Sequence, residues 1–123
     1  MTGTPQAELN HLALAVSDPR RSLEFYRDVI GVGGDVRTEE YGFVIRTTNG
    51  ITFTLFDGRP GPAGGDNHFG VSLPHAEAVR QARERFRAAG VAEHEWSDED
   101  GYVSVKVVDP DGYLVEVAWD VNA

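Results

Sequence analysis

The chain has 123 residues, 41% of them apolar, no cysteine, and 20 acidic against 11 basic side chains for a formal net charge of −9. That length suits one domain with a real core, and the lack of Cys excludes disulfides, Fe–S clusters, thiolate zinc sites and Cys nucleophiles. The acidic balance argues against nucleic acid and anionic membranes as partners, and no apolar run approaches the roughly 18 residues of a membrane span.

The opening MTGTPQAELN does not read as a signal peptide, so the expectation is a cytoplasmic domain. Leu9 to Val16 reads as a strand. SDPRRSLEFYRDVIG then opens a helix, with Ser17 or Asp18 as N-cap and Pro19 at the first helical position. Leu23, Tyr26 and Ile30 keep helical spacing, and Gly31 stops the run. Strands are predicted over 34–38, 41–47 and 51–57, with Asn49-Gly50 as the hairpin turn between the last two. GRPGPAGGD, 58–66, is too rich in Gly and Pro for either helix or strand and reads as a linker. The pattern then restarts. HFGVSL is a strand, PHAEAVRQARERFRAAG a helix ending before Gly90, and strands follow near 92–97, 102–108 and 113–120, with Asp111-Gly112 as the second hairpin turn.

The order is therefore βαβββ, linker, βαβββ, an internal repeat within a single domain, with modules at about 9–57 and 67–120. HLALAVSDP overlays HFGVSLPHA, and TNGITFTLFD overlays PDGYLVEVAW. Strand alternation then sorts the side chains. Leu12, Leu14 and Val16 share one face of the first strand and Phe69, Val71 and Leu73 one face of its repeat. The opposite faces carry small residues plus one His each, His11 and His68. In the last strand Glu116 lies between Val115 and Val117, on the face opposite the bulky residues.

If both modules turn their small faces to a common cleft, His11, His68 and Glu116 point into it. Two imidazoles and a carboxylate make a metal site with open positions, expected for non-haem Fe(II) and usable by Mn²⁺ or Zn²⁺. A lone strand His is more often structural, and a strand Glu is more often solvent-facing. The coincidence of repeat slots is what favours a site. A cation would also explain why a carboxylate stands in an apolar run. On the same logic Tyr102, Ser104 and Lys106, alternating with valines, look into the cleft, where Lys106 is placed to hold an anionic group or a developing oxyanion. Arg46 lies on the corresponding face of the first module.

LNHLALAVSDPRRSLEFYRDVIG and DPDGYLVEV, with the duplicated module covering about Leu9 to Asp120, resemble the vicinal oxygen chelate superfamily, also called the glyoxalase/bleomycin-resistance/dioxygenase superfamily. The resemblance implies an α+β fold in which two βαβββ modules pair into an incomplete barrel around a metal-binding cleft. It also implies a small-molecule substrate that chelates the metal through oxygens, and a homodimer. The slots it assigns to ligands are His11, Thr54, His68 and Glu116. Thr54 is a poor ligand where the four-ligand lyases carry Glu, which weakens a lactoylglutathione lyase or epimerase reading. The three remaining ligands match extradiol dioxygenases and fosfomycin-resistance transferases. Against the latter, the chain has no Arg after the last strand and has Ala13 where a Thr is expected. Extradiol chemistry needs an acid–base residue, for which His94, Tyr41 and Tyr102 are available. Bleomycin-sequestering members, which bind a cationic drug in an acidic, aromatic-lined groove, would suit the net charge, Trp96 and Phe43. The expectation is a metal-dependent enzyme, with extradiol dioxygenase chemistry among its candidate reactions. Its metal is His11-, His68- and Glu116-bound Fe²⁺ or Mn²⁺ in preference to Zn²⁺ or Ni²⁺, and Lys106, Tyr102 and His94 are its candidate catalytic residues. The alternatives are a drug-resistance protein, a lyase or an epimerase.

Overall fold

The computed structural model describes residues 3–123. Strand β1 (His11–Val16) leads into α1 (Pro19–Glu24), where the Asp18 carboxylate accepts the Arg21 N–H at 3.2 Å and Pro19 occupies the first turn. The helix does not continue in α geometry as its spacing predicts. From Phe25 to Ile30 it widens into a π-helical turn, and the Tyr26 carbonyl accepts the N–H groups of both Gly31 and Val32 at 3.0 and 2.8 Å. Phe25, Tyr26 and Ile30 are all buried on this turn, and Gly31 closes it with a φ of 93°.

Strands β2 (Gly34–Glu39), β3 (Gly42–Thr47) and β4 (Thr52–Asp57) complete the first sheet, in the order β1-β4-β3-β2. After the irregular stretch 58–66 come β5 (His68–Ser72), α2 (Ala76–Ala88), β6 (Glu93–Glu99), β7 (Tyr102–Val108) and β8 (Leu114–Asp120), in the order β5-β8-β7-β6. His75, exposed at the start of α2, caps the helix by accepting the Ala78 N–H on Nδ1. In each sheet the outer first strand pairs in parallel with the fourth, and the other pairs are antiparallel. The registers repeat. His11 stands opposite Thr52 and Ala13 opposite Thr54, as His68 stands opposite Leu114 and Gly70 opposite Glu116.

One core serves both modules. The bulky faces of the sheets meet around the two helices, with Leu14, Val16, Phe53 and Tyr26 from the first and Val79, Phe86, Val105 and Val117 from the second. Tyr26 and Phe53 approach Phe69 of the second module with ring centroids 6.0 and 5.6 Å apart. Polar contacts tie the same seam. Tyr26 Oη donates to the buried Asp109 Oδ2 at 2.6 Å, Tyr113 Oη to the Ala15 carbonyl at 2.7 Å, and Ser17 Oγ to Asp111 at 2.5 Å.

This docking corrects the sequence reading on one point. The small faces, bearing His11 and Ala13 on one side and His68, Gly70 and Ser72 on the other, are exposed and turned away from the shared core. Within one chain they do not enclose a common cleft. The reason is burial: each fully buried Val, Leu or Phe stabilises by about 1.5–3 kcal/mol, so the bulky faces take the interior. Among the described residues no helix is long and apolar enough to cross a membrane.

Candidate metal centre

The second module assembles the denser cluster. The DPDG turn sets it, because Asp109 Oδ1 accepts the N–H groups of Asp111 and Tyr113 at 2.8 and 2.9 Å and so fixes where β8 starts. Two residues along β8, Glu116 projects onto the open face, its side chain 17% exposed. Its Oε1 lies 3.3 Å from His68 Nε2 on the neighbouring β5. Its Oε2 accepts from Tyr102 Oη at 2.5 Å and from Ser104 Oγ, both on β7. Lys106 is the direct cross-strand partner of Glu116, with its Nζ 3.4 Å from Glu95 Oε1 on β6.

Burial alone would push the Glu116 carboxyl up. The hydroxyls of Ser104 and Tyr102, with the charges of His68 and Lys106, outweigh burial and hold it below the usual carboxylate range. The bond to Glu116 raises the Tyr102 phenol, assisted by burial and opposed by Ser104, so Tyr102 is a donor at neutral pH and not a base.

His68 Nδ1 lies 2.8 Å from the Asp66 carbonyl oxygen, which can only accept, so Nδ1 carries a proton. His68 Nε2 then faces a carboxylate oxygen, and a neutral ring there would set two acceptors against each other. A proton or a metal cation resolves that contact. His11 repeats the arrangement on β1, with its Nδ1 2.7 Å from Asn10 Oδ1. Orienting an imidazole through its second nitrogen is the usual support for a metal-ligating His. The donor set of two Nε2 atoms and one carboxylate therefore suits a divalent ion.

The fold does not bring all three donors together in one chain. His11 lines a separate depression of about 390 Å³ with Asn10, Arg46, Gly50, Thr52 and Thr54. Among the described residues no three His, Asp or Glu side chains form a group able to hold a metal ion. A larger cavity of about 540 Å³ lies at the module seam between residues such as Leu12, Phe53, Phe69 and Val71. It contains none of the site residues, so its size is no guide to the chemistry.

The other sequence candidates divide by face. Tyr102, Ser104 and Lys106 line the open face with Glu116, as their alternation with valines predicts. His94 is exposed at the register shift between Glu93 and Glu95 and is not gathered with them. Trp96 lies on the helix side, with the Arg83 guanidinium 4.2 Å above its ring, and Phe43 is buried under Arg20. Tyr41 is an exposed turn residue. Sequence reasoning missed Asn10, Asp66 and Glu95. Glu95 shares the parity of Ser97 and Glu99 on β6 and was accessible through that alternation. A backbone carbonyl such as that of Asp66 has no residue-type signal.

The comparisons agree with this architecture. Among functionally curated proteins no sequence matches the chain. The structure resembles lactoylglutathione lyase from Agrobacterium tumefaciens at 25% identity and a TM-score of 0.71, over 94% of this chain and 95% of that one. It resembles the genomically encoded fosfomycin resistance protein FosX from Listeria monocytogenes at 20% identity and a TM-score of 0.78, over 93% of each. It also resembles a possible glyoxalase from Bacillus cereus at 23% identity and a TM-score of 0.76, over 91% and 98%. The family model of the Glyoxalase/Bleomycin resistance protein/Dioxygenase superfamily matches residues 8–117, and the chain belongs to that superfamily.

Proposed function

We propose that the protein is a divalent-metal-dependent enzyme acting on a small molecule that presents adjacent oxygens. Its metal would be held by His68 and Glu116 of one copy and His11 of a second copy in a homodimer. The observation that carries this reading is the His68 Nε2–Glu116 Oε1 approach of 3.3 Å with His68 Nδ1 already committed to Asp66. Two further features support it. His11 is oriented in the same way but belongs to a sheet whose open face is turned from its own second module. In addition, β1 and β5 are both outer strands, with one edge each left for a neighbour.

Fe²⁺ or Mn²⁺ suits these donors best, with Zn²⁺ or Ni²⁺ also compatible. A bound ion would supply Lewis acidity toward charge developing on the substrate oxygens. The chain's own groups have distinct duties. Tyr102 and Ser104 fix the Glu116 carboxylate by donating to its Oε2. Lys106 supplies a cation on the same face, held by Glu95, for an oxyanion formed during turnover. Exposed His94 has no part. Among reactions of this class we place ring cleavage of a catechol-like compound first, with dioxygen as the co-substrate that is reduced and whose two atoms enter the product, ahead of lyase, epimerase or drug-modifying chemistry. Thr54 at the fourth slot disfavours the lyase and epimerase readings.

The test is metal content by native mass spectrometry after anaerobic loading with Fe²⁺, Mn²⁺, Ni²⁺ or Zn²⁺ and removal of excess. About one ion per chain in the wild type, lost in Glu116→Ala, is the expected result. No stoichiometric metal under any loading would overturn the enzyme reading and leave a metal-free drug-binding protein as the better account.

A further inference from the structure

The open face of the first module carries a cation that the metal site does not use. Arg46 on β3 stands directly opposite Thr52 on β4, and Thr52 stands directly opposite His11 on β1. The three form one row across the sheet, spanning roughly 10 Å at the usual strand spacing. Arg46, Thr52 and His11 also line the same depression of about 390 Å³.

Three cations lie on the open faces of the two sheets, and their pairing differs. Arg37 is tied to Glu39 at 2.5 Å, and Lys106 is held by Glu95 at 3.4 Å. Arg46 has no ion-pair or side-chain hydrogen-bond partner among the described residues. This holds even though Asp35 is its cross-strand neighbour on β2. The repeat adds a contrast. The position in β7 that matches Arg46, opposite Leu114, is the apolar Val108. The unpaired guanidinium is thus confined to the His11 half of the site, in a chain whose net charge is −9. The two threonine hydroxyls beside it, of Thr52 and Thr54, can donate to the same group.

We propose that Arg46 is a specificity-determining residue that receives an anionic oxyanion substituent of the substrate, most simply a carboxylate. The substrate's chelating oxygens would occupy the metal at the His11 end of the row. This rests on the metal reading above and narrows it: the substrate is an anionic chelator and not a neutral one. The guanidinium fork matches a carboxylate in two parallel hydrogen bonds, which an ammonium cannot reproduce.

The test uses the Mn²⁺-loaded full chain under argon and isothermal titration of catechol and its two monocarboxylates. Metal content is measured first on wild type, Arg46→Gln and Arg46→Lys, and equal loading shows that the variants fold. The wild type is expected to prefer at least one carboxylated ligand over catechol by about tenfold. Arg46→Gln is expected to abolish that preference and Arg46→Lys to restore part of it. A wild type with no preference, a preference that survives in Arg46→Gln, or no binding of any of the three ligands to loaded wild type would each overturn the proposal. A wild type that takes up no metal fails at the earlier step, before any ligand is added. That outcome defeats the metal reading and this inference with it.

Discussion

His68 Nε2 stands 3.3 Å from Glu116 Oε1 across two adjacent parallel strands, and Tyr102 and Ser104 hold the carboxylate's other oxygen from a third strand. The carboxylate is thereby kept ionised and pointed at the imidazole, which makes the two hydroxyls supports for the proposed ligand and not ligands themselves. Removing such supports commonly costs about 10–100-fold in metal affinity. Ser104→Ala and Tyr102→Phe are therefore each expected to weaken metal binding within that range, with Glu116 titrating higher than in the wild type. Competition with a chelator of known affinity would measure it. Unchanged metal affinity in both variants would show that the hydroxyls serve only the sheet.

The module seam has its own polar anchor. Tyr26 is fully buried, and its hydroxyl donates to Asp109, whose other oxygen fixes the DPDG turn. Burial first, and the Asp109 charge second, push the Tyr26 phenol far above its ordinary range, so it remains a donor at any working pH. Tyr26→Phe leaves a buried carboxylate oxygen without its donor, at a cost of about 1–3 kcal/mol. The thermal midpoint is expected to fall by several degrees while metal content is retained, since Tyr26 touches no proposed ligand. Calorimetry on both proteins checks the first part and native mass spectrometry the second.

How far the residues alone lead differs between the sheets and their docking. The repeat was readable because His11 and His68 fill the same slot, and the two parallel registers match across it. Glu116 stood out as a candidate because it interrupts an apolar run, and the structure places it on the open face beside His68. The relative placement of the modules was not. Alternation says which side chains share a face of one sheet, but not which faces meet. That choice is made by contacts between distant residues, Tyr26 with Asp109 and Phe53 with Phe69. Trp96 shows the same limit at smaller scale. Its aromatic ring suits a ligand groove as well as a helix contact, and only its parity opposite Glu95 places it beneath Arg83. The π-helical turn at Phe25–Ile30 keeps its bulky residues inward just as an α-helix would, so its spacing gave no warning.

Acid should loosen the helix clamp of the second module. Arg83 holds Glu93 through hydrogen bonds of 2.7 and 3.0 Å. That bond, against a smaller opposing effect of burial, lowers the Glu93 carboxyl below its ordinary value of 4.5. A depressed carboxylate stabilises the fold above its unfolded pKa, and the contribution is lost as pH falls from about 4.5 through the lower folded value. Glu93→Gln is expected to lower stability at neutral pH slightly and to flatten the acid limb of a denaturation series below that point. The clamp lies at the surface, so a small effect is in keeping with its position. Identical acid limbs in the two proteins would show that the clamp contributes nothing.

The proposed sharing of a metal site between two copies yields a sharper experiment than any single substitution. His11→Ala and Glu116→Ala chains, each alone, should bind no stoichiometric metal. Coexpressed with different tags, they should form mixed dimers in which one of the two sites has all three ligands. With random pairing, about one-quarter of the wild-type metal should return, all of it in the fraction carrying both tags. About one ion per doubly tagged dimer, half the content of a wild-type dimer, is the result the account predicts. A doubly tagged dimer as empty as either parent, from a wild type that loads fully, would contradict it.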